Sequence, residues 1–127
     1  MSTNVRVITP ADGVVRARTE MEIHKIHHLV VTQGDEVVGM LSAHDLTERE
    51  GNTVAEVMTP EPIVVRATTT VREAANRMRG NGVGALPVVN ERGRLVGIVT
   101  LSDLLELIGR GVEKPAPLVK RPRRGVS

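Results

Sequence analysis

Residues 34–46 read GDEVVGMLSAHDL and residues 92–104 read RGRLVGIVTLSDL; superimposed, they put Gly39 on Gly97, Ser42 on Thr100, Asp45 on Asp103 and Leu46 on Leu104. The chain therefore carries an internal duplication. The offset is 58 residues here and 57 upstream, where Val14 falls on Val71, Ala17 on Ala74, Met21 on Met78, Ile26 on Val83, Leu29 on Leu86 and Val31 on Val88. The change of one residue lies between Val31 and Gly34, where a hairpin loop absorbs an insertion at least cost.

The second copy gives the clearer pattern of elements. Ile63–Arg66 is a short β-rich run, and Thr70-Val-Arg-Glu73 fits a capping box. Behind it Val71, Ala74, Ala75 and Met78 recur at helical spacing. Asn81–Gly84 ends that helix. Leu86–Val89 and Leu95–Thr100 are apolar strands joined by a hairpin with Gly93 in its turn. Leu101, Leu104, Leu105 and Ile108 then predict a helix stopped by Gly109. Each repeat is strand–helix–strand–strand–helix, a mixed α and β (α+β) architecture. One such repeat is marginal alone, so the two are expected to share a core. Between them, Thr53-Val-Ala-Glu56 opens a short helix that Thr59-Pro60-Glu61-Pro62 breaks. The expected organisation is a first repeat at 5–50, degenerate at its ends, a linker at 51–62, a second repeat at 63–109 and a disordered basic tail at 110–127. In the first copy Arg18 replaces Ala75, and Thr47 and Glu50 stand where the second has Leu105 and Ile108, so its last helix should be shorter or more exposed.

Composition narrows the function classes. With 127 residues the chain is expected to form one domain-sized unit. It has no Phe, Tyr or Trp to stack a base, and no cysteine, which excludes disulfides, thiolate metal sites and a cysteine nucleophile. No apolar run reaches a membrane span and the start MSTNVRVITP lacks a signal-peptide core, which reads as soluble and cytoplasmic. The formal charge of +2 is unevenly placed. Six basic residues against Glu113 make residues 110–127 strongly positive and leave the rest mildly acidic. Nucleic acid is expected to bind at most weakly, through that tail.

On these residues the chain resembles a pair of CBS domains, the tandem arrangement called a Bateman module. The pattern Gly, hydrophobic, any, Thr or Ser, two residues, Asp occurs twice, as Gly39-Met-Leu-Ser42-Ala-His-Asp45 and Gly97-Ile-Val-Thr100-Leu-Ser-Asp103. Each follows a hairpin and a strand of the form Ile26-His-His-Leu29-Val-Val31 or Val83-Gly-Ala-Leu86-Pro-Val88. The resemblance covers most of residues 5–109. It implies two repeats related by pseudo-twofold symmetry and clefts between them that hold AMP, ADP, ATP or S-adenosylmethionine. It further implies a regulatory, energy-sensing role, no catalysis, no cofactor beyond the ligand, a homodimer and a regulated partner protein.

Carried over residue by residue, Asp45 and Asp103 accept hydrogen bonds from ribose hydroxyls, since charge-assisted bonds are the strong ones. Ser42 and Thr100 donate to a ribose or phosphate oxygen. The resemblance further implies that adenine lies between aliphatic side chains and reads backbone groups at Pro62, Ile63, Val83, Gly84, Ala85 and Leu86 in the second motif, and at Ile26, His27 and His28 in the first. Arg16, Arg66 and Arg72 are candidates to meet a phosphate. The same Ser/Thr-x-x-Asp letters also suit helix caps, in which case the chain is a ligand-free dimerisation or protein-interaction module. His24, His27 and His28 with His44 suggest a metal only if they share a face. Their positions span a helix-to-strand turn, so the imidazoles should diverge and no metal is expected. No nucleophile motif or P-loop is present, and Gly80-Asn-Gly82-Val-Gly84 ends a helix rather than forming a dinucleotide fingerprint.

Overall fold

Side-chain caps and left-handed residues set where the helices begin and end in the computed structural model, which describes residues 5–109. The expected tail at 110–127 lies outside the described residues. The chain divides into two units, Val5–Pro62 and, among the described residues, 63–109.

The second unit runs β5 (Val65–Arg66), α4 (Val71–Asn81), β6 (Ala85–Val89), β7 (Leu95–Thr100) and α5 (Leu101–Gly109). At the start of α4 the Thr70 hydroxyl accepts from the Glu73 N–H at 3.1 Å, while the Glu73 carboxylate accepts from the Thr70 hydroxyl at 3.1 Å. Gly82, with φ +63°, turns the chain out of the helix, a conformation that costs glycine little. The sheet order is β5-β6-β7, with β5 parallel and β7 antiparallel to β6. Val71, Ala74 and Met78 of α4 meet Leu86, Val88, Val99 and Leu104 in one core. Each such Val or Leu contributes roughly 1.5–3 kcal/mol on burial. Ala85, Pro87 and Val89 alternate with Leu86 and Val88 along β6 and are buried too, which is why that strand reads as a continuous apolar run.

The first unit repeats this plan as β1 (Val7–Ile8), α1 (Val14–His24), β2 (His28–Gln33), β3 (Glu36–Ser42) and α2 (Ala43–Glu48). It then adds α3 (Val54–Val57) and β4 (Thr59–Pro60). Helix α1 has no side-chain cap; its first N–H, on Val14, donates to the Asn52 carbonyl at 3.0 Å. Val54 and Val57 are buried with Ala17, Met21, Leu29 and Leu41. The segment 51–62 is thus built into the first unit. Thr59–Pro60 pairs antiparallel with β3 through Gly39↔Pro60 and Met40↔Thr59, making a four-stranded sheet. The Thr-Pro-Glu-Pro stretch predicts only a break. Proline at a sheet edge loses no ladder bond there, so breaker and edge strand coincide.

The hairpins locate the one-residue offset. Thr32 pairs with Val37 and Val89 with Leu95, enclosing four residues in the first copy and five in the second. Both copies shift register at the same place, after Val31 and after Val88. Helix α2 has six residues against nine in α5, as its weaker apolar pattern predicts. Arg18, at the Ala75 position, donates to the Leu46 carbonyl near the end of α2 at 3.2 Å. Helix α5 departs from the predicted stripe. Leu104 is buried and Leu107 packs beside the core, whereas Leu101 and Leu105 are 50% and 60% exposed. A helix with apolar residues around most of its circumference offers several faces, and periodicity does not choose among them.

Candidate functional site

In both repeats the strand-to-helix junction is fixed against the start of the central strand by the same bonds. In the second, Ala85 stands opposite Thr100 in the ladder and the Leu101 N–H donates to the Gly84 carbonyl at 2.9 Å. In the first, His28 stands opposite Ser42 and the Ala43 N–H donates to the His27 carbonyl at 2.9 Å. The residues aligned through the duplication therefore occupy equivalent places. Ile26 and Val83 begin these segments identically: their N–H groups donate to Met21 and Met78 carbonyls, each at 3.0 Å.

Each Ser/Thr-x-x-Asp motif closes a capping box. The Thr100 N–H donates to Asp103 Oδ2 at 2.8 Å, and the Asp103 N–H donates to Thr100 Oγ1 at 3.2 Å. The Ser42–Asp45 pair does the same with both bonds at 3.0 Å. The capping role uses one carboxylate oxygen. A carboxylate has about four lone-pair sites, so a cap and a second acceptor role are compatible.

The second oxygen differs between the copies. Asp103 Oδ1 has no hydrogen bond or ion pair among the described residues. Asp45 Oδ1 faces Arg49 Nε at 3.9 Å, and Arg49 Nη1 also donates to the Val57 and Met58 carbonyls at 3.3 and 3.1 Å. Sequence spacing does not reveal that tether, because its other end is a backbone carbonyl in the linker.

The surroundings differ as well. Beside Asp103 lie Gly84 and Ala85, small and uncharged, with Leu86 buried and Val83 36% exposed. Ile63, 40% exposed, precedes β5, which runs parallel to β6, so it lies at the end of the sheet where β6 begins. Pro62 precedes it as the last residue of the first unit. Beside Asp45 the neighbours are His27, exposed, and His28, half-buried. Burial holds the His28 imidazole below its ordinary pKa, His27 adds to the effect, and Asp45 opposes it.

Arg66 lies elsewhere. It pairs with Val89 at the hairpin end of the second sheet, four residues along β6 from Ala85. At about 3.3 Å per residue that is about 13 Å from the Thr100 end. Arg16 is within 3.8 Å of Asp12, and Arg72 is exposed in the first turn of α4. Among the described residues, no three His, Cys, Asp or Glu side chains are grouped to hold a metal. The histidines spread over α1, the following turn, β2 and α2.

A family model described as CBS domain matches residues 1–51 and 54–110. Inosine-5'-monophosphate dehydrogenase of Korarchaeum cryptofilum is 36% identical over 103 residues, 80% of this chain and 22% of the relative. The chain thus spans about a fifth of the length of the first curated relatives it matches. The crystal structure of CBSX2 in complex with AMP is similar with a TM-score of 0.76 and 28% identity, over 84% of this chain and 89% of that one. The cytosolic domain of the Mg2+ channel MgtE in complex with ATP gives 0.71 and 30%, over 83% of this chain and 45% of that one.

Proposed function

The chain belongs to the CBS domain family, and on that basis we propose that it is a cytoplasmic, non-catalytic regulatory module that binds an adenosine-containing ligand and reports it to a partner protein. The observation that carries this reading is Asp103, which closes its cap with one oxygen and leaves the other without a hydrogen bond or ion pair among the described residues, while Ile63 and Val83 are partly exposed apolar residues. An ionised carboxylate accepts both hydroxyls of a ribose. Aliphatic groups suit adenine in a chain without Phe, Tyr or Trp. The AMP in CBSX2 and the ATP in the MgtE domain support the ligand class, which comprises AMP, ADP, ATP and S-adenosylmethionine. Signalling requires two states of unequal affinity, because a ligand shifts only an equilibrium between states it binds differently. A homodimer supplies such states, and exposed Leu101 and Leu105 on α5 are apolar side chains it would cover.

The closed boxes also support a second reading, a ligand-free dimerisation or protein-interaction module. Asp103→Asn separates the two, since the amide oxygen still accepts the Thr100 N–H while the charge is gone. With neither tryptophan nor tyrosine in the chain, equilibrium dialysis against the four ligands is read by their absorbance near 260 nm. The sensor reading expects saturable uptake of at least one ligand, weakened at least tenfold in Asp103→Asn with the fold intact. No uptake of any at millimolar concentration leaves the interaction module.

A further inference from the structure

We propose a second binding site, for a phosphate or pyrophosphate group, at the hairpin end of the second repeat. There a cavity of about 600 Å3 is lined by Arg66, Thr68, Arg92 and Arg94, with Val89 and, as the one acid, Glu91. Two turns hold the arginines in place. The Thr69 hydroxyl accepts from the Arg66 N–H at 3.0 Å and the Thr69 N–H donates to the Arg66 carbonyl at 2.9 Å. Across the sheet, Asn90 Oδ1 accepts from the N–H groups of Arg92 at 2.9 Å and Arg94 at 3.0 Å. Gly93 takes the φ of +79° that closes this loop. Three guanidinium-bearing residues are thus fixed at their backbones around one concavity, and the Arg66 and Arg92 guanidinium groups have no hydrogen-bond or ion-pair partner among the described residues.

The duplication supplies an internal comparison. At the same end of the first sheet, Thr9 replaces Arg66 and the shorter loop carries Asp35 and Glu36. The fold does not need arginines there, and the sign of the charge is reversed between copies. Arginine forks suit phosphate oxygens, and clustered ones favour polyvalent anions over chloride. No aromatic side chain lines the cavity, so the site takes the anion rather than a base. It stands about 13 Å from the Thr100–Asp103 junction along the same sheet.

Calorimetric titration of the full chain with inorganic pyrophosphate at low salt tests the proposal. The expected result is saturable binding, one anion per chain, weakened at least tenfold in R66Q/R92Q and unchanged in D103N. Competition by AMP would identify a nucleotide phosphate as the source and lack of competition the free anion, and both support the site. Binding equally tight in R66Q/R92Q would assign the anion to the basic residues after Gly109 and overturn the proposal, as would no binding by the parent chain. Because D103N should leave pyrophosphate binding intact, failure here and failure of the adenosine site are separately visible.

Discussion

His28 is the residue whose protonation the fold opposes most plainly. Burial depresses its pKa below the ordinary 6.5, with Asp45 only partly compensating. As pH falls through 6.5 the unfolded chain takes up a proton that the folded chain refuses, so stability falls with pH in that window. The expected outcome is a lower urea midpoint at about pH 5 than at about pH 7.5, with the difference reduced in His28→Ala, the residue of the second copy. An unchanged difference would assign the pH dependence to other groups. Asp12 and Glu56, whose carboxylates accept backbone N–H bonds from Thr9 and from Thr53 and Asn52, are also held below their ordinary values. Their contribution is present above the unfolded carboxylate range and is lost as pH falls through the folded values. The alignment alone puts His28 opposite Ala85; its burial and its nearness to Asp45 depend on the β2–β3 register, which no local pattern states.

At the scale of elements, glycine in β3 has a specific purpose. A Cβ on Gly39 would sit 2.5 Å from Met58 Sδ and 3.1 Å from the Thr59 carbonyl oxygen. The methionine can swing aside, but the carbonyl belongs to β4, paired to β3. Gly39→Ala is therefore expected to cost about 1–3 kcal/mol, read as a lower urea midpoint. A neutral effect would mean that β4 is free to lift away. The motif glycine was legible in sequence as a repeated letter, but the reason for it was not, because its neighbours come from a linker that reads only as a break. Local chemistry transfers better: Thr70–Glu73, Ser42–Asp45 and Thr100–Asp103 are all spaced as caps, and all three form reciprocal bonds. What spacing does not state is which carboxylate oxygen each cap leaves over. The second oxygen of Asp45 finds Arg49 and that of Asp103 finds no partner among the described residues, and that contrast comes from side chains outside the motif.

At the scale of the whole molecule, the two units share one plan and differ in charge and exposure. Leu101 and Leu105 are apolar side chains at half exposure or more on a helix whose other face, at Leu104, is fully buried. If they cover a second copy, sedimentation at micromolar concentration gives twice the chain mass of 13.7 kDa, and Leu105→Asp gives the single mass with the thermal transition retained. A parent chain that sediments at the single mass contradicts the dimer. Because Leu105 is 60% exposed, a fold lost in the variant would be unexpected. Among the described residues no helix is long and apolar enough to cross a membrane.

The proposed function requires a strand-to-helix junction, closed as a helix cap, to serve also as a ligand site. Titration of 15N-labelled protein with AMP, followed by amide chemical shifts, tests it at the residues concerned. Saturable shifts are expected at Gly84, Ala85, Thr100, Leu101 and Asp103, with the affinity at least tenfold weaker in Asp103→Asn. Amides at those five positions that stay unmoved at saturating AMP would contradict it.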